Sequence, residues 1–297
     1  MTFVLWRKLL NMVIEVKKTI RAMKKYLNDI DSTKIVKVFD ELPLWSAPFG
    51  LKLLEYINYK PNISALDIGF GAGFPLIEVA MRLGEGSTVY GIDPWKDAIT
   101  LTNKKLEHYE MENIRIIEGV AESIPLNDNF IDLIISNNGI NNVSDIGQVI
   151  AECSRIIKPG GQFVMTMNLD KSMFEFYSEL ESVLKEYGMN KEVEAMYKHI
   201  AQKRPSVDFI LDVLRKNGFI TKDLEYDKFD YRFATGTAML NHNFIRSVFV
   251  PSWINLVPAD KLEDIFDAIE TRLNQQAEKL GEVKLTIPFV IINAIKE

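Results

Sequence analysis

From Ser64 onward the chain alternates between two rhythms. Short apolar runs (SALDIG, STVYGID, IRIIEG, FIDLIISNN and QFVMTMN) are separated by stretches with apolar residues at helical spacing. Runs of this length between turn residues predict buried strands, and the intervening period predicts helices. Those helices are expected over Phe74 to Leu83, Trp95 to Glu110 and Asp145 to Ile157, the last closed by Lys158-Pro159-Gly160-Gly161. Alternating strand and helix imply an α/β fold, a doubly wound parallel sheet with helices on both faces. After Asn168 the rhythm changes. Ser172 to Tyr187 and Lys191 to Lys203 read as helices, and Ser206 as the cap of another that ends at Asn217-Gly218. Phe219 to about Phe233 reads as a sixth strand, and VKLTIPFVIINAIK as a final one. Residues 1 to about 57 read as helices broken at ELPLWSAPFG, where Pro43, Pro48 and Gly50 interrupt the period, with a helical pattern resuming over Leu51 to Tyr59.

Composition narrows the function classes. Of 297 residues, 47% are hydrophobic, enough for one large core with insertions or for two small ones. The net charge of −6 argues against a general nucleic-acid binder, which needs cationic surface to displace counterions. Cys153 is the only cysteine, which excludes an intramolecular disulfide and a thiolate-rich metal site and reads as a buried structural thiol. His108, His199 and His242 are far apart, with no HxH or HExxH pattern, so no metal is expected. No run of about 18 apolar residues occurs, so no spanning helix is expected.

The first 25 residues carry seven basic side chains against one acid, Glu15. Arg7 and Lys8 interrupt the apolar stretch and no small-residue cleavage site follows, so a signal peptide is not expected and the location is read as cytoplasmic. This segment reads as a helix packed on its own domain with a solvated basic face. The alternative is peripheral contact with a membrane surface.

The chemistry centres on ALDIGFGAGFPLIEVA, a glycine-rich turn between the first strand and its helix. Glycine there lets the backbone approach a ligand. The dinucleotide fingerprint G-x-G-x-x-G fits Gly69 and Gly71, but its third glycine falls on Phe74; the observed third is Gly73. A P-loop is excluded, since no Gly-Lys-Ser/Thr follows. Asp67 stands two residues before the first glycine, where its charge would repel a pyrophosphate and attract an ammonium and a sulfonium. S-adenosylmethionine carries both. Asp93, at the end of the second strand, can accept hydrogen bonds from two ribose hydroxyls. Trp95 offers a flat face for adenine. In GVAESIPL, Ala121-Glu122 can read the adenine edge, and the fourth strand ends in Ser136-Asn137-Asn138.

DIGFGAG, GIDPW, GVAESIPL, DLIISNNGINNV and ECSRIIKPGGQFVMTMN together resemble the class I S-adenosylmethionine-dependent methyltransferases, most of all the branch with the ubiquinone and menaquinone biosynthesis enzymes. The resemblance covers about residues 40 to 170. It implies a Rossmann-like seven-stranded sheet whose last strand is antiparallel. It implies that Asp67 and the backbone of Gly69, Phe70, Gly71 and Gly73 hold the methionine part. Asp93 and Pro94 would meet the ribose, with Trp95, Ala121 and Glu122 around adenine, and Asn137 and Asn138 near the methyl group. The Asn-Pro-Pro-Tyr motif that some members use on amide or base nitrogens is absent. The cofactor expected is S-adenosylmethionine, with S-adenosylhomocysteine as product.

The expected layout is an N-terminal helical lid over 1–49, a cofactor-binding core over 50–170, and completion of the sheet over 171–297. Helical substrate-lid insertions are expected at about 171–205 and 234–282. Trp45, Phe49, Met239 and Arg246 are the candidate acceptor-pocket residues; an apolar pocket with a few polar groups suits a small, partly hydrophobic acceptor. His242 is the candidate general base, with Tyr231 and Asn138 as its catalytic companions. The alternatives are a membrane-associated quinone or lipid precursor as acceptor, or a non-catalytic module that only binds the cofactor.

Overall fold

A computed structural model describes residues 45–297; the basic N-terminal segment lies outside them. They divide into two compact units: residues 45–172, Ala201–Phe229 and Ile287–Glu297 form the first, and Met173–Ile200 with Asp230–Thr286 the second.

In the first unit the predicted alternation is present: α1 (Ser46–Glu55), β1 (Ser64–Ile68), α2 (Leu76–Leu83), β2 (Thr88–Asp93), α3 (Lys96–His108), β3 (Ile114–Glu118), β4 (Ile131–Asn137), α4 (Ile146–Ile156) and β5 (Ile157–Asn168). Then come α5 (Phe174–Glu186), α6 (Asn190–Lys203), α7 (Val207–Lys216), β6 (Phe219–Phe233), α8 (Gly236–Asn241), α9 (Val250–Ile254), α10 (Leu262–Leu280) and β7 (Val283–Lys296). The strands form one seven-stranded sheet in the order β3-β2-β1-β4-β5-β7-β6. β1 to β5 pair in parallel, and the last strand, β7, runs antiparallel to β5 with Thr166 opposite Ile291. The central strands are continuous apolar runs because helices cover both faces of a parallel sheet. Leu66, Ile134, Phe163 and Ile292 pack with Val149, Ile150 and Cys153 of α4 and with Ile210 and Leu214 of α7, all buried. Cys153 is thus the structural thiol expected; burial pushes its pKa up and keeps it protonated.

Helix ends follow local chemistry. Asp145 caps α4, accepting from the Gln148 amide at 3.0 Å, and Ser206 caps α7 through the Phe209 amide at 3.2 Å. Boundaries differ from expectation in two places. Lys158-Pro159-Gly160-Gly161, expected only to close α4, lies within β5, which begins at Ile157. The ELPLWSAPFG break extends only to Trp45, and Ser46 already opens α1. Pro48 lies in the first helical turn, where its missing N–H has no partner to lose. Gly50 is tolerated mid-helix because the Phe74 ring fills the space a Cβ would take.

The second unit is helical. In α10, Leu262, Ile265, Phe266, Ile269 and Leu273 form one buried stripe at helical spacing. Phe176 of α5 stacks on Trp253 of α9, centroids 3.7 Å apart, and the Trp253 indole N–H donates to Tyr177 Oη at 3.2 Å. Between α8 and α9 the chain makes one π-helical turn, Ile245–Phe249. Pro251 follows at once. Proline lacks the N–H for the carbonyl four residues back and its ring crowds that carbonyl, and a widened turn relieves both.

Candidate cofactor and acceptor site

β1, β2 and β4 end side by side. β1 lies between β2 and β4, so the strand order reverses there, and in open α/β sheets ligands bind at that crevice. The Gly69–Gly73 turn leaves β1 into it. Gly69, Gly71 and Gly73 have φ of 77°, 52° and 104°, a region that side chains with a Cβ rarely enter. A Cβ on Gly69 would also stand 3.0 Å from Gly139 Cα, where the chain leaves β4. Phe70 turns inward and is buried beneath β2, where a Cβ on Gly91 would stand 2.8 Å from its ring.

Asp67 is wholly buried at the end of β1, and neither carboxylate oxygen has a hydrogen-bond partner among the described residues. Burial raises its pKa well above the usual carboxylate range, and the nearby Asp93 charge pushes the same way. The Leu76 amide offsets this only in part and closes no hydrogen bond with it. Asp93 Oδ2 accepts from the Gly71 amide at 2.9 Å and Oδ1 from the Trp95 amide at 2.8 Å. Burial raises the Asp93 pKa, and those two amides counter the rise. Each of its oxygens keeps a second lone pair for a hydroxyl. Pro94 is exposed and Trp95 half-buried beside it.

Ala121 is buried in the turn after β3. Glu122 Oε1 accepts from the Ser144 and Asp145 amides at 2.7 and 3.2 Å, which ties this turn to the start of α4. At the end of β4, Asn137 Nδ2 donates to the Ser46 carbonyl at 3.0 Å and its Oδ1 accepts from Thr166 Oγ1 at 3.1 Å. Asn138 sits at φ 57°, and its Oδ1 accepts from the Asn168 amide at 3.0 Å. Asn141 Nδ2 donates to Asn168 Oδ1 at 2.5 Å, while Asn141 Oδ1 is buried without a partner among the described residues. These amides form an uncharged polar cluster beside the glycine turn.

Trp45 and Phe49 are buried in the first unit. Phe49 packs edge-on against Phe289 at 4.9 Å and Phe229 at 5.2 Å, and Trp45 against Phe49 at 5.4 Å. His242, Tyr231, Met239 and Arg246 belong to the second unit. Met239 is buried there and Arg246 half-buried. His242 has its ring 5.4 Å from Phe233 and 6.5 Å from Tyr231, and its Nδ1 is buried without a hydrogen bond among the described residues. Burial lowers the His242 pKa and raises that of Tyr231. The described residues contain no cluster of His, Cys, Asp and Glu able to hold a metal, and no helix among them is long and apolar enough to cross a membrane. Gly91 and Gly139 also shape the glycine turn, and they fall within the GIDPW and DLIISNNGINNV runs. Thr102 and Lys105 shape it too, and no motif marks them, because their part is played through contacts distant in sequence.

A family model described as a methyltransferase domain matches residues 66–165. Over 123 residues the chain is 31% identical to demethylmenaquinone methyltransferase from Bacillus mycoides, a stretch that covers 41% of this chain and 52% of that protein. It is 27% identical over 197 residues to the Geobacillus enzyme of the same name, covering 64% of this chain and 82% of that one. The chain thus spans about half the length of the first relative. Among solved structures, geranyl diphosphate C-methyltransferase from Streptomyces coelicolor, in complex with Mg2+, geranyl diphosphate and S-adenosyl-L-homocysteine, superposes with a TM-score of 0.52 at 17% identity. That match covers 88% of this chain and 83% of the other. At such identity it speaks for the fold alone. Sheet order, glycine turn and family match agree over the core: residues 66–165 are similar to a methyltransferase domain, on a seven-stranded sheet whose last strand is antiparallel.

Proposed function

We propose that this protein transfers a methyl group from S-adenosylmethionine to a small, partly hydrophobic acceptor. The observation that carries the reading is Asp67, a buried carboxyl with no hydrogen-bond partner among the described residues, beside a positive-φ glycine turn. Burying a polar group without a hydrogen bond is costly, so such a group points to a ligand that supplies one. A cationic amino-acid tail supplies what Asp67 lacks, whereas a pyrophosphate would be repelled by it.

In this reading Asp67 and the turn from Gly69 to Gly73 receive the methionine part. Asp93 receives the ribose, Pro94 and Trp95 border it, and Ala121 and Glu122 border adenine. Bound S-adenosylmethionine supplies a methyl group already activated by its sulfonium. The protein's share is then alignment, which accounts for much of the acceleration in such a displacement. Asn137 and Asn138 frame the place where the acceptor approaches, and the buried Asn141 Oδ1 offers it a hydrogen-bond acceptor. His242 is the candidate base for an acceptor that must lose a proton, with Tyr231 orienting it. Trp45, Phe49, Met239 and Arg246 are the proposed acceptor-side residues, the first two from within the core of the first unit.

Calorimetric titration with S-adenosylhomocysteine, with NAD as control, tests the cofactor. Binding of the first alone is expected. Binding of NAD alone, or of neither by folded protein, would overturn the reading. Two relatives named demethylmenaquinone methyltransferase favour a membrane-associated quinone precursor as a second possibility for the acceptor. Transfer of labelled methyl to a demethylquinone in vesicles, compared with soluble phenols, separates the two.

A further inference from the structure

The cofactor turn is held by its carbonyls. Phe70 O accepts from the Gly73 amide at 3.0 Å and Gly73 O from the Ile77 amide at 2.9 Å. Among the described residues, the two carbonyls between them have no backbone partner of that kind. Instead Gly71 O accepts from Thr102 Oγ1 at 3.2 Å and Ala72 O from Lys105 Nζ at 2.7 Å. All four successive carbonyls are therefore satisfied from within this chain. Thr102 is fully buried, and it and Lys105 lie three residues apart on one face of α3.

A glycine-rich turn loses more conformational freedom on ordering than any other segment. A ligand that must order it binds more weakly by that cost, and a turn already held avoids the loss. The Gly71 peptide is gripped on both sides, its N–H by Asp93 and its C=O by Thr102. We infer that Thr102 and Lys105 are positioning residues for the cofactor, which set its affinity by holding the Gly71 and Ala72 carbonyls without touching the ligand. This rests on the proposed use of S-adenosylmethionine.

The test measures S-adenosylhomocysteine affinity and amide hydrogen exchange at Gly73 in the full chain, for wild type, Thr102→Val, Thr102→Ser and Lys105→Met. Thr102→Val keeps the volume and loses the hydroxyl; it should bind about tenfold more weakly, the effect of one buried hydrogen bond, with faster exchange at Gly73. Thr102→Ser should restore both to within about twofold of wild type, since it regains that bond. Lys105→Met should shift both in the direction of Thr102→Val. It alters a half-buried side chain, so it decides the matter if Thr102→Val fails to fold. Wild-type affinity in Thr102→Val, or equal losses in the Val and Ser variants, would overturn the inference. So would wild-type binding by Lys105→Met if Thr102→Val does not fold. If the wild-type protein itself binds no S-adenosylhomocysteine, the functional reading fails first and takes this one with it.

Discussion

At the scale of single residues, burial raises the pKa of both acids beside the glycine turn, but their partners differ. Asp93 has two amides that counter the rise, whereas the neighbouring Asp93 charge adds to it at Asp67. Asp67 therefore binds a proton more tightly in the folded protein than in the unfolded chain, where a carboxyl titrates near 3.9. Its contribution to stability is fullest below that value and is lost as pH rises through the folded pKa. Asp67→Asn removes the titration. Denaturant midpoints measured from pH 4 to 8 should fall more steeply for wild type than for the variant, and the variant should bind S-adenosylhomocysteine about 10- to 150-fold more weakly, the loss of a charged hydrogen bond.

His242 has the opposite sign. Burial lowers its pKa from the ordinary 6.5, which keeps the imidazole neutral and basic at neutral pH. Turnover that depends on it should hold through 6.5 and fall only at lower pH. His242→Ala should cut turnover by about 100-fold or more and abolish that acid limb. Unaltered kcat across the pH profile would remove His242 from the mechanism.

At the scale of elements, much was legible because propensity and burial agree. The five parallel strands are nearly unbroken apolar runs, and the helix caps at Asp145 and Ser206 are acceptors of the type the ends require. The start of α1 was not legible. Pro48 and Gly50 break a helix in general, and only their place, in a first turn and against the Phe74 ring, makes them tolerable. The π turn at Ile245–Phe249 was hidden for a like reason, since Pro251 alone reads as a stop. What α9 brings to the second unit is Trp253, fully buried, stacked on Phe176 and bonded to Tyr177. Trp253→Ala should destabilise the fold by about 3–5 kcal/mol, through lost transfer energy and the cavity left behind, measured by denaturant unfolding.

At the scale of the molecule, the glycine turn and its neighbours were more legible than the placement of residues in the second unit. Gly69, Gly71, Gly73, Asp67 and Asp93 fall within one strand–turn–helix–strand unit, where sequence spacing becomes spatial spacing directly. Thr102 and Lys105 reach the same turn from about 30 positions away, and no spacing rule links them to it. His242 and Tyr231 are brought together by the end of a strand and the residue after a short helix, again a matter of tertiary placement.

The approach of Gly69 to Gly139 has a consequence for how such a chain can change. One residue leaves β1 and the other leaves β4, and the space for a side chain at either is taken by backbone. Backbone cannot be trimmed by a second substitution as a neighbouring side chain can. Shrinking a partner therefore compensates for nothing here, and the two positions are closed to the stepwise exchanges by which cores are repacked. Side chains around the crevice are under no such constraint, while the seam beneath it has no smaller alternative to move to.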